Sequence, residues 1–316
     1  GCSKVSPGCD HCYAETIAHR FAGTTAYPDG FKVTLRPERL EQPLRWTRPR
    51  MVFVNSMSDL FHDQVPDEYI AKVFAVIAMA RQHTFQVLTK RHGRMRSLLS
   101  STEFWTEVGS HGRGIAFDRA AGKYPSSGPM ELTSDSSAWG HWTAANPLPN
   151  VWLGVSTENQ QWADIRIPAL LGTPAAVRFI SAEPLLGPID LLGDAENVGP
   201  AIVRTGVQTR PSTPDGPAEY DFDDQIGIDW VIVGGESGPG ARAMHPDWAR
   251  SLRDQCTAAG VAFLFKQWGE WVTDFSGRGS HLLQVTGQLI TRESGTTTNP
   301  YGHGSGVQDL VDRGHP

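Results

Sequence analysis

Six short apolar runs along the chain predict buried β-strands. They are rich in Val, Ile, Leu and Phe without strict alternation, which is typical of parallel strands covered on both faces. The runs are MVFVNSMSD (51–59), FQVLTKR (85–91), VWLGVSTEN (151–159), VRFISAEP (177–184), DWVIVGGESG (229–238) and VAFLFKQWGEW (261–271). Every run closes in polar residues, so the pattern predicts polar side chains where the strands end.

Helical patterns separate these strands. DEYIAKVFAVIAMAR (67–81) carries apolar residues at helical spacing behind an Asp-Glu start, and DWARSLRDQCTAAG (247–260) ends in a glycine that suits a helix C-terminus. The alternation predicts an α/β fold with a parallel sheet and right-handed crossovers. The chain begins at glycine, and we expect a further strand upstream of Cys2. That count favours a full or partial (β/α) TIM-like barrel over an open sheet.

Three regions depart from this alternation. Residues 106–148 are rich in Gly, Ser, Pro and Trp, and residues 193–227 are rich in Pro, Asp and Gly, which predicts loop insertions between barrel units. Residues 273–316 are polar, with one apolar run, HLLQVTGQLI (281–290), that suits a hairpin or an edge strand. We therefore divide the chain into a barrel, residues 1–272, and a C-terminal polar extension, residues 273–316.

Charge and cysteine content narrow the class of protein. The chain has 316 residues and a formal net charge of −6, so a nucleic-acid partner would have to meet a local basic segment. No apolar run reaches membrane-spanning length and no signal peptide is evident, so we expect a cytoplasmic protein with no membrane partner. Four cysteines in this length do not make a disulfide framework, and their clustering indicates metal ligation or redox chemistry.

Three of the four cysteines lie in the first twelve residues, GCSKVSPGCDHC. Cys2, Cys9 and Cys12 have the spacing C-x6-C-x2-C. Structural zinc requires four ligands, so a nearby histidine or the distant Cys256 would have to complete the site. A [4Fe–4S] cluster with three protein thiolates leaves one iron open for a small molecule, a use that requires three sulfurs rather than four. The cysteine spacing is therefore compatible with either zinc or an iron–sulfur cluster. Cys256 has apolar neighbours in a predicted helix and is expected to be a core residue.

Polar side chains collect at the predicted strand ends, where (β/α) barrels form their active sites. The candidates are Asn55, Ser56, Asp59, Lys90, Ser156, Glu158, Glu183, Gly234, Gly235, Glu236 and Lys266. Contact with water explains any one of them, but the joint pattern favours a polar pocket at one barrel mouth. The glycine pair permits close backbone approach, and the carboxylate that follows it is suited to hold an amino group.

A cysteine triad in a loop at the start of a (β/α) barrel, ending in Cys-x-x-Cys-Tyr, resembles the radical S-adenosylmethionine superfamily. The commonest spacing there is C-x3-C-x2-C, from which this chain departs. The resemblance implies that residues 1–272 form a radical-SAM-like barrel in which Cys2, Cys9 and Cys12 hold a [4Fe–4S] cluster. It also implies that the open iron takes the amino and carboxylate groups of S-adenosylmethionine, which is cleaved to give a 5′-deoxyadenosyl radical.

The same resemblance implies roles for the strand-end residues. It implies that the catalytic residues include Lys90, Glu183 and Lys266. The implied cofactor contacts are Tyr13, Asn55, Ser56, Asp59, Ser156, Glu158, Gly234, Gly235 and Glu236. In the superfamily the Gly-Gly-Glu motif follows the second strand, whereas here it occupies residues 234–236 after a later strand.

A closer resemblance covers most of the chain. Seven motifs are similar to those of a phage-associated family of unknown function, found in bacteria and prophages. They are GCSKVSPGCDHCYAE, FVNSMSDLFH, FQVLTKR, VWLGVSTENQ, RFISAEPLLGPID, WVIVGGESGPGAR and FLFKQWGEW. The tail of that family is basic and contains leucine. Residues 302–316 depart from it, so the resemblance implies no function for the C-terminus.

Two basic segments bear on the substrate. Residues 35–50 contain five arginines and Trp46, and residues 89–96 contain four cations, a combination compatible with a nucleic-acid backbone and a stacked base. A solvated helix face is the simpler explanation of both segments. The phage setting and a similarity of the Cys-x-x-Cys-Tyr ending to DNA photoproduct lyases nevertheless make a nucleic acid or nucleotide the leading substrate. The alternative is a zinc or iron–sulfur module that binds nucleic acid or an unknown protein partner without turnover.

Overall fold

The structure, a computed structural model, describes residues 1–124, 142–192 and 227–273. Beyond residue 273 it describes the backbone of three short strands. Part of the first predicted insertion, residues 125–141, and nearly all of the second, residues 193–226, lie outside the described residues.

Within the described residues, six strands form one parallel sheet. They are β1 Met51–Val54, β2 Thr84–Thr89, β3 Val151–Ser156, β4 Val177–Ala182, β5 Trp230–Gly234 and β6 Ala262–Gln267. The strands lie in the order β1-β2-β3-β4-β5-β6, and every neighbouring pair is parallel. A consecutive order without a reversal belongs to a barrel-type sheet and not to a doubly wound one. The α/β prediction is therefore confirmed, with the sheet curled into a half-barrel that is consistent with a partial (β/α) barrel.

Seven α-helices are seen in the described part of the chain. They are α1 Tyr13–Arg20, α2 Pro37–Leu40, α3 Asp67–Met79, α4 His92–Leu99, α5 Thr102–Ala120, α6 Gln160–Leu171 and α7 Pro246–Ala259. Both helices that the sequence predicted are confirmed as α3 and α7. Helix α7 begins where the His245 side chain accepts a hydrogen bond from the Asp247 N–H, and it ends at Gly260 in the left-handed conformation, with φ +66°.

The hydrophobic core lies between the sheet and these helices. Val87 of β2, Leu153 of β3 and Val231 of β5 are buried in it, as are Phe74 and Ile77 of α3. Each strand ends before its apolar run does, so the polar residues that close the runs lie at the strand ends or in the loops that follow, at the carboxyl edge of the sheet. The sequence pattern thus places the predicted polar residues at one edge of the fold.

Two predicted boundaries need correction. Helix α5 extends to Ala120, so residues 106–120 are helical and the predicted insertion at 106–148 begins later than its composition indicates. The glycines of this stretch are accommodated because α5 packs on α3, where Gly112 faces the Met79 side chain. The predicted boundary at residue 272 falls inside β7, Trp271–Thr273, and would divide that strand.

A second, antiparallel sheet follows the barrel. Strand β7 pairs with β8 (Leu282–Gln284), β8 with β9 (Leu289–Ile290), and β9 with β10 (Thr297–Thr298). Within the run at 281–290, the described strands β8 and β9 pair antiparallel, which agrees with the hairpin alternative of the prediction. In the described ranges, no helix is both long and apolar enough to cross a lipid bilayer.

Candidate functional site

The cysteine loop, residues 1–12, lies across the carboxyl ends of the parallel strands. Ser3 Oγ lies 2.9 Å from His62 Nε2 in the segment after β1, and Ser6 Oγ donates to Glu158 Oε1 after β3 at 2.7 Å. Arg242, in the segment after β5, donates to the Pro7 carbonyl at 2.7 Å. Contacts to three separate strand ends fix the loop over the mouth of the half-barrel.

The His62 contact has a defined direction. Its Nδ1 accepts a hydrogen bond from the Gln64 N–H at 3.1 Å, so in the neutral ring Nε2 carries the proton and donates to Ser3 Oγ. Burial lowers the pKa of His62, which keeps the ring neutral near pH 7. The contact therefore holds the loop without adding a charge.

All three loop thiols are available as ligands. Cys2, Cys9 and Cys12 are half-buried and none of them is in a disulfide. Cys12 is the N-cap residue of α1, where the helix dipole favours negative charge. Cys256 is instead fully buried in α7, and burial raises its pKa to about 11, so its assignment as a core residue is confirmed.

The spacing of the sulfurs bears on which group they fit. Among the described residues, three or more Cys, His, Asp or Glu ligand atoms come within 4.8 Å of one another only at Glu68, Glu107 and His111. The three loop sulfurs are therefore spread more widely than that. A tetrahedral zinc with Zn–S bonds of about 2.3 Å brings its sulfurs to roughly 3.8 Å from each other. Three thiolates are the donor set of a cluster with one open iron, whereas a closed zinc site would need a fourth ligand.

One cation contacts a sulfur directly. Arg91 Nη1 donates to Cys2 Sγ at 3.2 Å and pairs with Asp59 Oδ2 at the same distance. Burial raises the pKa of the Cys2 thiol, and the Arg91 charge works in the opposite direction. Cys2 therefore lies beside a positive charge that stabilises its thiolate form.

Glu158, just after β3, is a buried carboxylate at the mouth with three charged or polar partners. It is fully buried, with Arg166 Nη1 2.9 Å from Oε2 and both Lys90 Nζ and Ser6 Oγ near Oε1, at 3.2 and 2.7 Å. Burial alone would raise its pKa, but Lys90, Arg166 and Ser6 outweigh burial and the pKa is lowered. Gly8 packs so closely on this side chain that a Cβ there would collide with it.

Glu236 is bound by one arginine on both oxygens. Arg242 Nη2 lies 2.6 Å from Oε1, while Arg242 Nε and its backbone N–H donate to Oε2 at 3.0 and 2.9 Å. The same guanidinium reaches Asp10 Oδ2 at 3.1 Å, so it joins Glu236 to the cysteine loop. This geometry favours an anchoring role for Glu236 over the expected contact with an amino group.

Glu183, after β4, is more accessible. It pairs with Lys266 Nζ at 3.0 Å and accepts a hydrogen bond from Ser181 Oγ at 2.9 Å, and 19% of its side chain is exposed. Lys266 is 56% exposed, so the pair opens to solvent. Gly234 makes room for this carboxylate, since a Cβ there would lie 2.6 Å from Oε1, and Gly235 makes room for the Trp268 carbonyl.

The remaining candidates divide into exposed and buried groups. Asn55 and Ser56 are exposed after β1, and the Ser56 carbonyl accepts a hydrogen bond from the Tyr13 hydroxyl. Burial raises the pKa of Tyr13, and Cys12 and Glu183 raise it further.

Two of the candidates are buried supports. Asp59 receives hydrogen bonds from the Phe61 N–H, Thr89 Oγ1 and the Lys90 N–H, which fixes its carboxylate against Arg91. Ser156 is buried and its carbonyl accepts from Arg166. These contacts leave both residues as supports of the mouth.

The cations of segment 89–96 are largely used inside the protein. Lys90 pairs with Glu158 and Arg91 with Asp59, while Arg94 contacts the Val65 carbonyl. In segment 35–50, the half-buried Trp46 ring is covered by the Arg50 guanidinium at 4.8 Å and meets His83 edge-on. The predicted base-stacking aromatic is therefore occupied by protein contacts, and segment 89–96 offers little free positive charge.

The comparisons with known proteins identify a family. A family model described as "Protein of unknown function (DUF5131)" matches residues 1–298. The chain belongs to the DUF5131 family. The prediction of membership in a family of unknown function is thus confirmed, and the DUF5131 match includes the cysteine loop, all six parallel strands and much of the extension. No curated protein and no solved structure matches the chain significantly.

Sequence reasoning missed four residues that shape this DUF5131 site. Arg166, Arg242, His62 and Gly8 each hold the cysteine loop or its supporting carboxylates. Arg166 had a detectable signal, since it lies on the same face of α6 as the buried residues at 163, 167 and 170, where a charge needs a partner. The other three have no such local signal, because their partners are distant in sequence.

Proposed function

We propose that this protein is a radical S-adenosylmethionine-type iron–sulfur enzyme in which Cys2, Cys9 and Cys12 hold a [4Fe–4S] cluster. The observation that carries the proposal is a loop with three unpaired, half-buried thiols that is anchored over the carboxyl edge of a consecutive parallel sheet. This edge is where (β/α) barrels bind substrates. When bound, such a cluster supplies the electron that cleaves S-adenosylmethionine to methionine and a 5′-deoxyadenosyl radical, which takes a hydrogen atom from the substrate.

The anchors support a ligating loop rather than a mobile one. Ser6 and Gly8 rest on Glu158, and Arg242 holds the Pro7 carbonyl and Asp10. A loop held at several points presents its thiols in a fixed arrangement, which lowers the entropy cost of binding a metal group. The neutral His62 contact to Ser3 adds a further point of support.

The accessible ion pair suits the polar end of the methionine moiety. Lys266 is half exposed and can meet a carboxylate, while Glu183 beside it can accept hydrogen bonds from an ammonium or a ribose hydroxyl. Tyr13, 57% exposed next to Cys12, is placed to cover a bound adenine. Lys90 is engaged by Glu158 and is better suited to supporting the loop than to contacting the cofactor.

Nucleic acid or a nucleotide is the proposed substrate class. Lys90, Arg91 and Arg94 of segment 89–96 are engaged and Arg96 is exposed, so the proposal rests mainly on segment 35–50. The chain just before that segment adjoins the cysteine loop, because Gly1 packs against the carbonyls of Phe31 and Lys32. Arg39 and Arg48 of the segment are exposed. A substrate phosphate bound there would lie on the side of the mouth where the chain begins.

The first experiment is anaerobic purification and reconstitution with iron and sulfide, followed by counts of iron, sulfide and zinc. Dithionite and S-adenosylmethionine are then added and 5′-deoxyadenosine is measured. We expect about four irons per chain and 5′-deoxyadenosine formation in the wild type. Serine variants of Cys2, Cys9 and Cys12 should lose both properties, whereas Cys256→Ser, the matched control in α7, should keep them.

The outcomes separate the alternatives. One tightly held zinc and no iron would overturn the proposal and leave a zinc-binding module. A cluster without 5′-deoxyadenosine would indicate electron transfer or the need for a partner protein. Formation of 5′-deoxyadenosine that rises on addition of single-stranded DNA or RNA, and not of mononucleotides, would support a nucleic-acid substrate.

A further inference from the structure

Arg91 occupies a distinctive position at the mouth of the half-barrel. It follows β2 and its side chain, only 8% exposed, reaches the start of the chain. Nη1 donates to Cys2 Sγ at 3.2 Å, and Nη2 donates to the Ser3 carbonyl at 3.1 Å and to Ser3 Oγ at 2.8 Å. One guanidinium therefore holds both the sulfur of Cys2 and the backbone beside it.

The contact distinguishes Cys2 from the other two thiols. Within residues 1–124, 142–192 and 227–273, Arg91 is the only side chain that donates a hydrogen bond to a cysteine sulfur. Arg242 approaches the same loop but contacts the Pro7 carbonyl and Asp10, and not a sulfur. The three ligands would therefore surround a bound cluster unequally.

The guanidinium is fixed before any ligand binds. Its partner Asp59 is held by Thr89 Oγ1 at 2.7 Å and by the Lys90 N–H at 3.0 Å. The Arg91 backbone N–H donates to Thr89 Oγ1 at 2.8 Å, so the same threonine fixes both members of the pair. Little side-chain entropy is left for Arg91 to lose when it acts on a ligand.

We propose that Arg91 is a positioning residue that sets the Cys2 sulfur for cluster ligation and raises the reduction potential of the bound cluster. The inference rests on the proposed function. One-electron reduction adds negative charge to a cluster and its thiolates, and a cation that donates to a ligand sulfur stabilises the reduced form more than the oxidised form. Arg91 thereby makes the cluster easier to reduce.

The test compares reconstituted wild type with Arg91→Gln and Arg91→Lys. Iron and sulfide are counted, and the midpoint potential is measured by a titration monitored by electron paramagnetic resonance. Arg91→Gln should bind less iron, and the cluster it does bind should have a lower potential. Arg91→Lys keeps the charge but loses the two-nitrogen fork, so its potential should fall between the other two.

Arg250→Gln is the matched control. Arg250 is an exposed arginine of α7 that pairs with Asp247 at 2.8 Å, and it has no hydrogen bond to the cysteine loop in the described residues. Its variant should bind the same iron and show the wild-type potential. Thermal denaturation of all variants reports whether the fold is kept.

The results separate this inference from the proposed function. A wild type that takes up no iron overturns both. A wild type with four irons, together with an Arg91→Gln protein of equal iron content and equal potential, overturns this inference alone. Iron loss in both Arg91 variants, with Arg250→Gln intact and all three folded, supports the positioning role through the guanidinium fork.

Discussion

Ser6 in the cysteine loop donates a 2.7 Å hydrogen bond to Glu158 Oε1, 152 residues later at the end of β3. Glu158 is fully buried and faces Lys90 and Arg166 as well. A carboxylate buried with two cations needs further hydrogen bonds to offset the loss of hydration, and Ser6 supplies one. The cysteine loop thus contributes a hydrogen bond to a buried charge network whose other members follow the strands of the sheet or lie on α6.

The first prediction concerns the pH dependence of this network. The folded-state pKa of Glu158 is lowered, below an unfolded value of about 4.3, so its ionised form adds stability above about pH 4.3 that is lost as the pH falls through the folded-state pKa. We expect Glu158→Gln to lower the free energy of unfolding by about 3–5 kcal/mol at pH 7, because Arg166 is left buried without its partner. The measurement is urea denaturation of wild type and variant at pH 7 and below pH 4.

The difference between the two proteins should shrink at the lower pH, where wild-type Glu158 takes up a proton. Glu68→Gln serves as a control, since Glu68 forms an exposed pair with Lys72 and should change stability much less. An equal difference at both pH values would show that Glu158 is not the ionised centre of the network.

The second prediction concerns the close packing of Gly8. A Cβ at this position would collide with the Glu158 carboxylate, so Gly8→Ala must displace either the loop or Glu158. We expect reduced iron uptake on reconstitution with the overall fold kept. The control is Gly114→Ala in α5, where no atom lies within 4 Å of the added Cβ and alanine should stabilise the helix by up to about 1 kcal/mol. Normal iron uptake in Gly8→Ala would mean that the loop tolerates a shift away from Glu158.

The helices and strands could be predicted well from the sequence, because the type of secondary structure depends largely on local sequence patterns. Apolar runs without alternation identified all six strands, and helical spacing with an acidic start identified α3. The same reasoning placed Glu158 and the other strand-end residues at one edge of the sheet, whereas the structure alone shows that the cysteine loop lies there too. It could not show that Ser6 bonds Glu158 or that Arg242 bonds Glu236, since side-chain pairing between distant segments leaves no periodic signal. It was wrong about residues 106–120, where three glycines suggested a loop but packing of α5 on α3 outweighs their low helix propensity.

The third prediction concerns the reactivity of the four thiols in metal-free, reduced protein. Cys9 and Cys12 are half-buried in the loop, whereas Cys256 is fully buried with a pKa of about 11, so only about one in a thousand of its thiols is ionised at pH 8. We expect iodoacetamide to modify the loop cysteines, with Cys2 slower because burial raises its pKa, and to leave Cys256 until the protein unfolds. Peptide mass spectrometry over time measures each rate. Modification of Cys256 as fast as Cys9 would contradict its place in the core.

The last prediction separates cluster ligation from cofactor binding. Glu183 and Lys266 form a solvent-accessible pair at 3.0 Å, and neither of them contacts the cysteine loop through a hydrogen bond or ion pair in the described residues. If they hold the polar end of S-adenosylmethionine, Glu183→Gln and Lys266→Met should keep the full iron content. Each variant should bind S-adenosylmethionine about 10-fold or more weakly, since a charged hydrogen bond contributes roughly 1.5–3 kcal/mol.

Binding is measured by calorimetry on the oxidised, reconstituted protein, which avoids turnover. Arg250→Met is the matched control, because Arg250 pairs with Asp247 on the exposed surface of α7 and should leave both iron content and affinity unchanged. Unchanged affinity in both Glu183→Gln and Lys266→Met would show that S-adenosylmethionine binds elsewhere. The exposed Asn55 and Ser56 after β1 would then be the next residues to substitute. Loss of iron from Glu183→Gln would instead mean that this carboxylate supports the cysteine loop, because Glu183 lies close enough to Tyr13 to influence its ionisation.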